Sequence, residues 1–161
     1  MSEPRLAPIV GALPSVRDVG LRPLPPDDPA SPKGRNTWNW PFPANPIPGQ
    51  TMIARRFTGD AVGGHFHVRR TQDALHNKDP EYLLLITGRA HFWFQDTSGE
   101  EVEMVLDATM GPQEVRIPPY ILHIVTVLSD MIIFIEQQPA AYDPKMTYNA
   151  DEFELLVASL K

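Results

Sequence analysis

The stretch that decides the fold is "EYLLLITGRAHFWFQD" at residues 81–96. It contains two short runs of apolar, aromatic and β-branched residues, which are typical of strands, on either side of Gly88. A glycine adopts the backbone angles of a tight turn without steric penalty. The stretch therefore predicts two consecutive β-strands joined as a hairpin about Gly88.

Runs of the same kind lie on both sides of this stretch. Further strands are predicted at 51–57, 63–70, 101–106 and 113–120. The runs "HIVTVL" and "MIIFIE" flank Ser129 and Asp130, which predicts a second tight hairpin. Turn signals recur about every 8–12 residues without a helical pattern between them, so the sequence predicts an all-β sandwich or barrel over residues 49–148.

The N-terminal part of the chain has a different composition. Twelve of the 18 prolines lie in residues 1–48, and proline lacks a backbone donor and restricts φ. We therefore expect residues 1–48 to form an extended arm. The aromatic residues Trp38, Trp40 and Phe42 favour an arm that packs on the barrel.

The C-terminal residues 149–161 are predicted to form a short amphipathic helix. Asn149 is a candidate N-cap, and acidic residues follow it in the first turn. The apolar residues at spacing i, i+3, i+4 and i+7 are Phe153, Leu156, Val157 and Leu160. This face is expected to pack on the barrel or on a second subunit.

Composition excludes several classes of function. The chain has 161 residues and no cysteine, which excludes disulfides, thiolate zinc sites and iron–sulfur clusters. Its net charge of −6 gives no reason to expect nucleic acid as a partner. No signal peptide and no apolar run long enough for a bilayer is evident, so we expect a cytoplasmic protein without a membrane partner.

The histidines of "GGHFH" (63–67) are candidate metal ligands. His65 and His67 project from the same face of a strand, because side chains alternate along it. Metal sites in proteins usually need three or four ligands. Glu81 and His123 open two other predicted strands, which a barrel can bring to the same point.

These residues carry a resemblance to the cupin superfamily. Gly59-x5-His65-x-His67 followed by Glu81-x6-Gly88 resembles the first cupin signature, and "IPPYILH" (117–123) resembles the second, with Tyr120 where a glycine is usual. The resemblance implies a double-stranded β-helix, or jelly-roll barrel, over about residues 50–140. It also implies one divalent ion, iron, zinc, manganese or nickel, bound by His65, His67, Glu81 and His123.

The spacing leaves one ligand open. Thirteen residues separate His67 from Glu81, more than is usual in cupins, and Gln72 stands where the ordinary spacing would place the carboxylate. We prefer Glu81, because its spacing to Gly88 is intact and a carboxylate suits a hard divalent ion. Residues 72–80 are then an insertion at the mouth of the barrel.

The resemblance is closest to cupin-type sugar epimerases and isomerases. "PPYILH" and "YDP" resemble the cupin domains of capsular-polysaccharide epimerases, and "GHFH" with "PEY" resembles cupin-type glucose-6-phosphate isomerases. Both groups move a proton next to a sugar carbonyl, which needs a Lewis acid and a base. Tyr120 is the candidate catalytic residue, and His91, Glu136 and Tyr142 stay open as alternatives.

The predicted interior is apolar. Leu83 and Leu85 share the face of Glu81, and Phe92 and Phe94 are candidate substrate-binding residues on the next strand. Such a lining favours an alternative function, a metal-dependent dioxygenase or cyclase-like enzyme acting on an aromatic or apolar substrate. A non-catalytic metal-binding cupin is the third alternative.

Basic residues and exposed strand edges are candidate contacts for a substrate and for a second subunit. Arg55 and Arg69 are candidate contacts for a phosphate or carboxylate of a small-molecule substrate, with Arg56 beside them. Exposed edge strands and an aromatic arm favour a homodimer.

Overall fold

The computed structural model of the chain describes residues 8–31, 38, 40, 50–71, 74–77, 79–138 and 147–161. In chain order the strands are β1 (Ile9–Val10), β2 (Gly20–Pro23), β3 (Gln50–Phe57), β4 (Ala61–His67), β5 (Arg69–Arg70), β6 (Leu75–His76), β7 (Glu81–Thr87), β8 (Arg89–Gln95), β9 (Glu101–Asp107), β10 (Gln113–Ile117), β11 (Leu122–Val127), β12 (Met131–Gln138) and β13 (Thr147–Asn149). The α-helix α1 is Ala150–Ser159, and two short 3-10 helices are Val16–Asp18 and Ala108–Met110.

Two five-stranded antiparallel sheets face each other across the interior. The first has the strand order β2-β10-β7-β12-β3, and the second has the order β13-β4-β11-β8-β9. From β9 to β13 successive strands alternate between the sheets, as in a jelly roll, and the inward side chains of the two sheets form one hydrophobic cluster. The all-β jelly-roll barrel that the sequence predicted is thus confirmed.

Both predicted hairpins are wrong. β7 pairs with β10 and β12, whereas β8 pairs with β9 and β11, so the chain crosses from one sheet to the other at Gly88. The same change of sheet separates β11 from β12 at Ser129 and Asp130. The physical reason is that an apolar face on each strand is buried by facing the opposite sheet, and strand pairing then comes from distant parts of the chain.

The sheet crossings meet at one end of the barrel. Gly88 has a φ of +83°, and a Cβ atom there would lie 2.2 Å from the carbonyl oxygen of Met131. The hydroxyl of Ser129 accepts a hydrogen bond from the Arg89 N–H at 2.9 Å and donates to the Met131 carbonyl at 2.8 Å. Only glycine fits this corner, and the hydroxyl satisfies backbone groups that a hairpin ladder would otherwise pair.

The described part of the N-terminal arm joins the barrel. β2 pairs with β10 and forms an edge of the first sheet, while Val16 and Leu24 are buried. Pro26 forms an isolated bridge with Trp38, and the Trp40 ring N–H donates to the Glu114 carboxylate. The arm therefore supplies a strand as well as the predicted packing; Phe42 lies outside the described residues.

The predicted helix packs on the outside of the second sheet. Asn149 caps α1, and its side chain accepts a hydrogen bond from the Glu152 N–H at 2.9 Å. Phe153 and Leu156 are buried in a second hydrophobic cluster on the outer face of β4. Leu160, which the helical spacing assigned to the same face, is 45% exposed because α1 ends at Ser159.

The insertion after β4 contains a small sheet of its own. β5 pairs with β6, and β6 pairs with β1 of the arm. Gln72, the alternative metal ligand, lies outside the described residues. No helix within the described ranges combines the length and apolarity needed for a bilayer span.

Candidate metal centre and cavity

A bulge in β4 brings its histidines to the interior. His123 pairs with His65 and Ile124 pairs with Gly63, so Gly64 is an extra residue in β4. Gly63 and Gly64 have φ values of +99° and +70°. A Cβ atom on Gly63 would lie 2.4 Å from the His123 carbonyl oxygen, so the glycine allows β11 to approach closely. The glycines of "GGHFH" therefore position its histidines against His123.

Three imidazoles meet at this point. One ligand nitrogen from each of His65, His67 and His123 lies within 4.8 Å of the other two. The ring centroid of His65 is 4.7 Å from that of His67 and 4.8 Å from that of His123. Two neighbouring strands of one sheet thus supply the histidine ligand set that the cupin resemblance implied.

Glu81 reaches the same cluster from the opposite sheet. Its Oε2 lies 3.3 Å from Nε2 of His67 and 3.7 Å from Nε2 of His123. Glu81 and both histidines are nearly fully buried. The position of Glu81 supports our preference for it, since its carboxylate lies beside two of the imidazoles.

Hydrogen bonds outside the cluster orient two of the rings. Nδ1 of His123 lies 3.0 Å from the Ile121 carbonyl oxygen, and because a carbonyl only accepts, Nδ1 carries the proton. Nδ1 of His67 lies 3.3 Å from the Thr147 hydroxyl. Both rings consequently turn Nε2 toward Glu81, as metal-binding histidines do when a second partner holds Nδ1.

Two of the histidines, His65 and His123, are held in their neutral form. Burial, together with the charge of neighbouring imidazoles, lowers the pKa of His65 and of His123 to about 4. At neutral pH each ring therefore keeps a lone pair, which a metal ion requires.

The donor set fits a divalent transition metal. Three imidazoles and one carboxylate match the preferences of iron, zinc, manganese and nickel, and the set leaves further coordination positions open. Among the described residues, Oε2 of Glu81 accepts no hydrogen bond, although it is buried. A bound cation would compensate this buried carboxylate.

A cavity of about 290 Å³ extends from the cluster through the barrel. Its buried walls are apolar and consist of Leu83, Leu85, Phe92, Val125, Ile132 and Phe134. The partly exposed lining residues are Met52, Arg56, Val62, Gly63, His65 and Glu136. Because most of these belong to β3 and β4, the cavity opens between those two strands.

The structure brings some of the predicted substrate contacts to this cavity and leaves others away from it. Phe92 lines the cavity, whereas Phe94 is buried in the barrel core outside the lining. Arg55 points outward and lies 5.5 Å from the Phe57 ring. Arg69 borders a separate cleft beside the insertion.

Two charged residues of the cavity lining were not placed there from the sequence. Arg56 follows Met52 and Ala54 on the inward face of β3, and Glu136 follows Ile132 and Phe134 on the inward face of β12. Strand alternation could have identified both residues, because each lies an even number of positions from apolar residues that face inward on the same strand.

Tyr120 lies away from the cavity. It is fully buried in the second hydrophobic cluster, and burial raises the pKa of its hydroxyl to about 12. Its φ of 61° is the left-handed conformation that suits the glycine usual at this place in cupins. This position does not favour the catalytic role we expected for Tyr120. His91 points outward to Glu103, and Tyr142 lies outside the described residues.

Solved structures show the extent of the likeness to known proteins. The dTDP sugar isomerase of Desulfovibrio desulfuricans G20 superposes with a TM-score of 0.62 at 14% identity, over 88% of this chain and 88% of that one. QdtA, a sugar 3,4-ketoisomerase of Thermoanaerobacterium thermosaccharolyticum in complex with TDP, gives 0.61 at 15% identity over 90% and 98%. No family model and no curated protein matches the sequence.

A third match is to part of a larger protein. The capsular polysaccharide assembling protein CapF of Staphylococcus aureus superposes with a TM-score of 0.54 at 22% identity, over 65% of this chain and 29% of CapF. The chain thus spans less than a third of the length of CapF. These likenesses, with the topology described above, establish the fold of this chain as the jelly-roll barrel of the cupins, as its motifs predicted.

Proposed function

We propose that this protein is a metal-dependent enzyme that isomerises or epimerises a small carbonyl-containing molecule. The observation that carries the proposal is the group of three histidines and Glu81 at one end of an otherwise largely apolar cavity. A buried polar cluster facing an open cavity is costly for stability and is typical of a reactive site.

His65, His67, Glu81 and His123 would hold the metal ion. When bound there, a divalent cation supplies a Lewis acid that polarises a carbonyl oxygen. The protein's own contribution is to keep the imidazoles neutral, to fix two of them through Ile121 and Thr147, and to exclude water with the apolar walls.

Glu136 is the residue we propose as the base. It lines the same cavity as the cluster, and its opposite charge offsets a small part of the lowering that burial causes in the pKa of His65 and His123. A carboxylate at this position can take the proton from the carbon next to a polarised carbonyl and return it to the same or the neighbouring carbon.

The comparisons support the reaction class. The dTDP sugar isomerase and the sugar 3,4-ketoisomerase QdtA have the same fold over nearly the whole chain, and their names describe rearrangement of sugars. A sugar or nucleotide-linked sugar is accordingly the first substrate to test.

The apolar walls favour a second candidate function. Leu83, Leu85, Phe92 and Phe134 offer few hydrogen bonds to a sugar and would suit an aromatic substrate. A metal-dependent dioxygenase or cyclase-like enzyme is therefore the alternative, and oxygen consumption distinguishes the dioxygenase from an isomerase. A non-catalytic metal-binding cupin is the remaining alternative.

The first experiment measures the metal. Purified wild-type protein would be compared with His65→Ala, His123→Ala and the control His91→Ala, whose ring lies on the outer face of β8 beside Glu103. We expect about one equivalent of metal in wild type and in the control, and about a 100-fold weaker affinity in the two cluster variants. Equal, low metal content in all four proteins would refute the site.

The second experiment measures proton exchange. Metal-loaded protein would be incubated in deuterium oxide with a dTDP-linked 4-keto-6-deoxy sugar, and deuterium at the carbon next to the carbonyl would be followed by NMR. We expect exchange in wild type and a loss of at least 100-fold in Glu136→Gln with metal retained. Oxygen uptake with an aromatic substrate, without exchange, would favour the dioxygenase.

The homodimer and the cytoplasmic location stay predictions from sequence. Size-exclusion chromatography with light scattering is the direct measurement for the dimer. No described feature of the site requires a residue from a second subunit.

A further inference from the structure

Arg56 is a charged residue in an inward-facing row. Met52 and Ala54 precede it on the same face of β3, whereas Ile53 and Arg55 face outward and are exposed. Arginine seldom occupies an inward position of a barrel strand without a charged partner. Its placement therefore calls for a ligand or a partner inside the cavity.

The contacts of Arg56 hold its guanidinium at the cavity without neutralising it. The carbon atom of the guanidinium lies 5.9 Å from the centre of the Phe134 ring, and Nη1 donates to the Arg55 carbonyl at 2.9 Å. No carboxylate in the described ranges forms an ion pair with it. Three other arginines pair with an acid, Arg17 with Glu100, Arg22 with Glu114 and Arg89 with Asp107, but none of these three lines the cavity.

Arg56 lies at the opposite end of the cavity from the histidine cluster. It pairs with Ile132 on β12, whereas Glu136 pairs with Met52. Four residues along a strand span about 13 Å. The backbones of Arg56 and Glu136 are therefore about 13 Å apart along the strand direction. The apolar walls fill the space between them.

We propose that the substrate is an organic anion with an apolar body. Its carboxylate, phosphate or sulfonate binds the Arg56 guanidinium, its body lies along Leu85, Phe92 and Phe134, and its reactive carbonyl points to the histidine cluster. Only this last placement rests on the proposed function; the anion site and the apolar site stand without a metal.

Charge gives the ligand one orientation. Glu81 and Glu136 lie at the cluster end, so an anionic group is disfavoured beside them and favoured at Arg56. A guanidinium binds an oxyanion through two parallel hydrogen bonds, which fixes direction as well as position. The cavity therefore selects for one charged end and one uncharged, carbonyl-bearing end.

The test uses a matched pair of probes, 4-phenylbutyrate and its neutral amide 4-phenylbutanamide, titrated into the full chain by calorimetry. They share the aromatic body and differ in charge. We expect the acid to bind at least 10-fold more tightly than the amide. Arg56→Gln should weaken the acid about 10-fold and leave the amide unchanged, while Arg55→Gln, on the outer face, should change neither.

Three results would overturn the proposal: equal affinity for acid and amide, unchanged affinity of the acid in Arg56→Gln, or no binding of either probe at millimolar concentration. Thermal unfolding of Arg56→Gln verifies that the variant is folded.

Repeating the titration after removing metal with a chelator separates this proposal from the proposed function. If the acid binds through a metal, chelation abolishes binding and Arg56→Gln does not, which overturns the anion site while supporting the metal centre. If the protein holds no metal and the acid still depends on Arg56, the anion site is supported and the metal-dependent function fails.

Discussion

The two faces of β4 have different surroundings, a cavity on one side and packed aromatic rings on the other. On the inner face, His65 and His67 border a cavity of about 290 Å³ beside a buried carboxylate. On the outer face, the Phe66 ring packs 5.2 Å from Tyr148 and 5.3 Å from Phe153, with no cavity described between them. The outer face, which we call the filled face, holds the strand in place. The inner face, which we call the hollow face, can therefore carry polar groups that contribute little to stability.

Truncating the filled face should have the largest effect. Phe66→Ala removes a fully buried ring between the sheet and α1, and we expect it to lower the free energy of unfolding by about 3–5 kcal/mol. Chemical denaturation followed by circular dichroism measures this. His65→Ala, one position away on the hollow face, is the matched control and should change stability far less while weakening metal binding about 100-fold.

A methyl group at the bulge should damage the hollow face selectively. Gly63→Ala places a Cβ atom 2.4 Å from the His123 carbonyl at a φ of +99°, and we expect a loss of about 2–4 kcal/mol with weakened metal binding. Gly64→Ala has open space at its Cβ and should cost about 1–2 kcal/mol. Equal effects of the two variants in denaturation and metal titration would contradict the close approach.

The carboxylate of Asp96 holds the backbone at Val16, whose side chain covers one end of the barrel interior. Oδ2 of Asp96 accepts a hydrogen bond from the Val16 N–H at 3.0 Å, and Oδ1 accepts from the Ser98 hydroxyl at 2.6 Å. Burial raises the pKa of Asp96, but these hydrogen bonds and that from Glu100 outweigh it and hold the pKa below its ordinary value.

We expect Asp96→Asn to lower stability by about 1–3 kcal/mol at neutral pH. A lowered pKa in the folded state stabilises above the unfolded value of about 3.9, and the stabilisation is lost as pH falls through the folded pKa. The difference between wild type and variant, from denaturation curves at several pH values, should therefore shrink below about pH 4. Asp130→Asn, at an exposed turn, is the control for the change of charge.

The smallest change is expected from Tyr120→Phe. The Tyr120 hydroxyl is buried and makes no hydrogen bond with a described residue, so its removal should alter stability by less than about 1 kcal/mol. Because Tyr120 belongs to the second hydrophobic cluster, outside the barrel interior, metal content and proton exchange should be unchanged. A 100-fold loss of exchange with the fold intact would instead support the catalytic role first expected for Tyr120.

The sequence predicted which polar side chains lie together better than it predicted the connections between strands. His65, His67, Glu81 and His123 were identified as a group because residue type and motif spacing are local properties of the chain. The hairpins at Gly88 and Ser129 were wrong because a glycine turn has the same local sequence whether the chain returns to its own sheet or crosses to the other.

Residues of the cavity rim show the same limit. Alternation along β3 says that Arg55 and Arg56 face opposite sides, but the pairing of β3 with β12 determines which side is the interior. Likewise, Tyr120 follows two prolines in a motif near the site, and only the packing of α1 and β13 reveals that its ring fills the outer cluster.

The strand pattern, the terminal helix with its cap and the four candidate ligand residues can be deduced from the chain alone, since periodicity, capping and donor chemistry act over a few neighbouring residues. Sheet membership, the apolar cavity and the placement of Arg56 and Glu136 at its two ends arise from contacts between distant strands. Their free energy comes from burial of side chains that are far apart in sequence, and no short stretch contains that information.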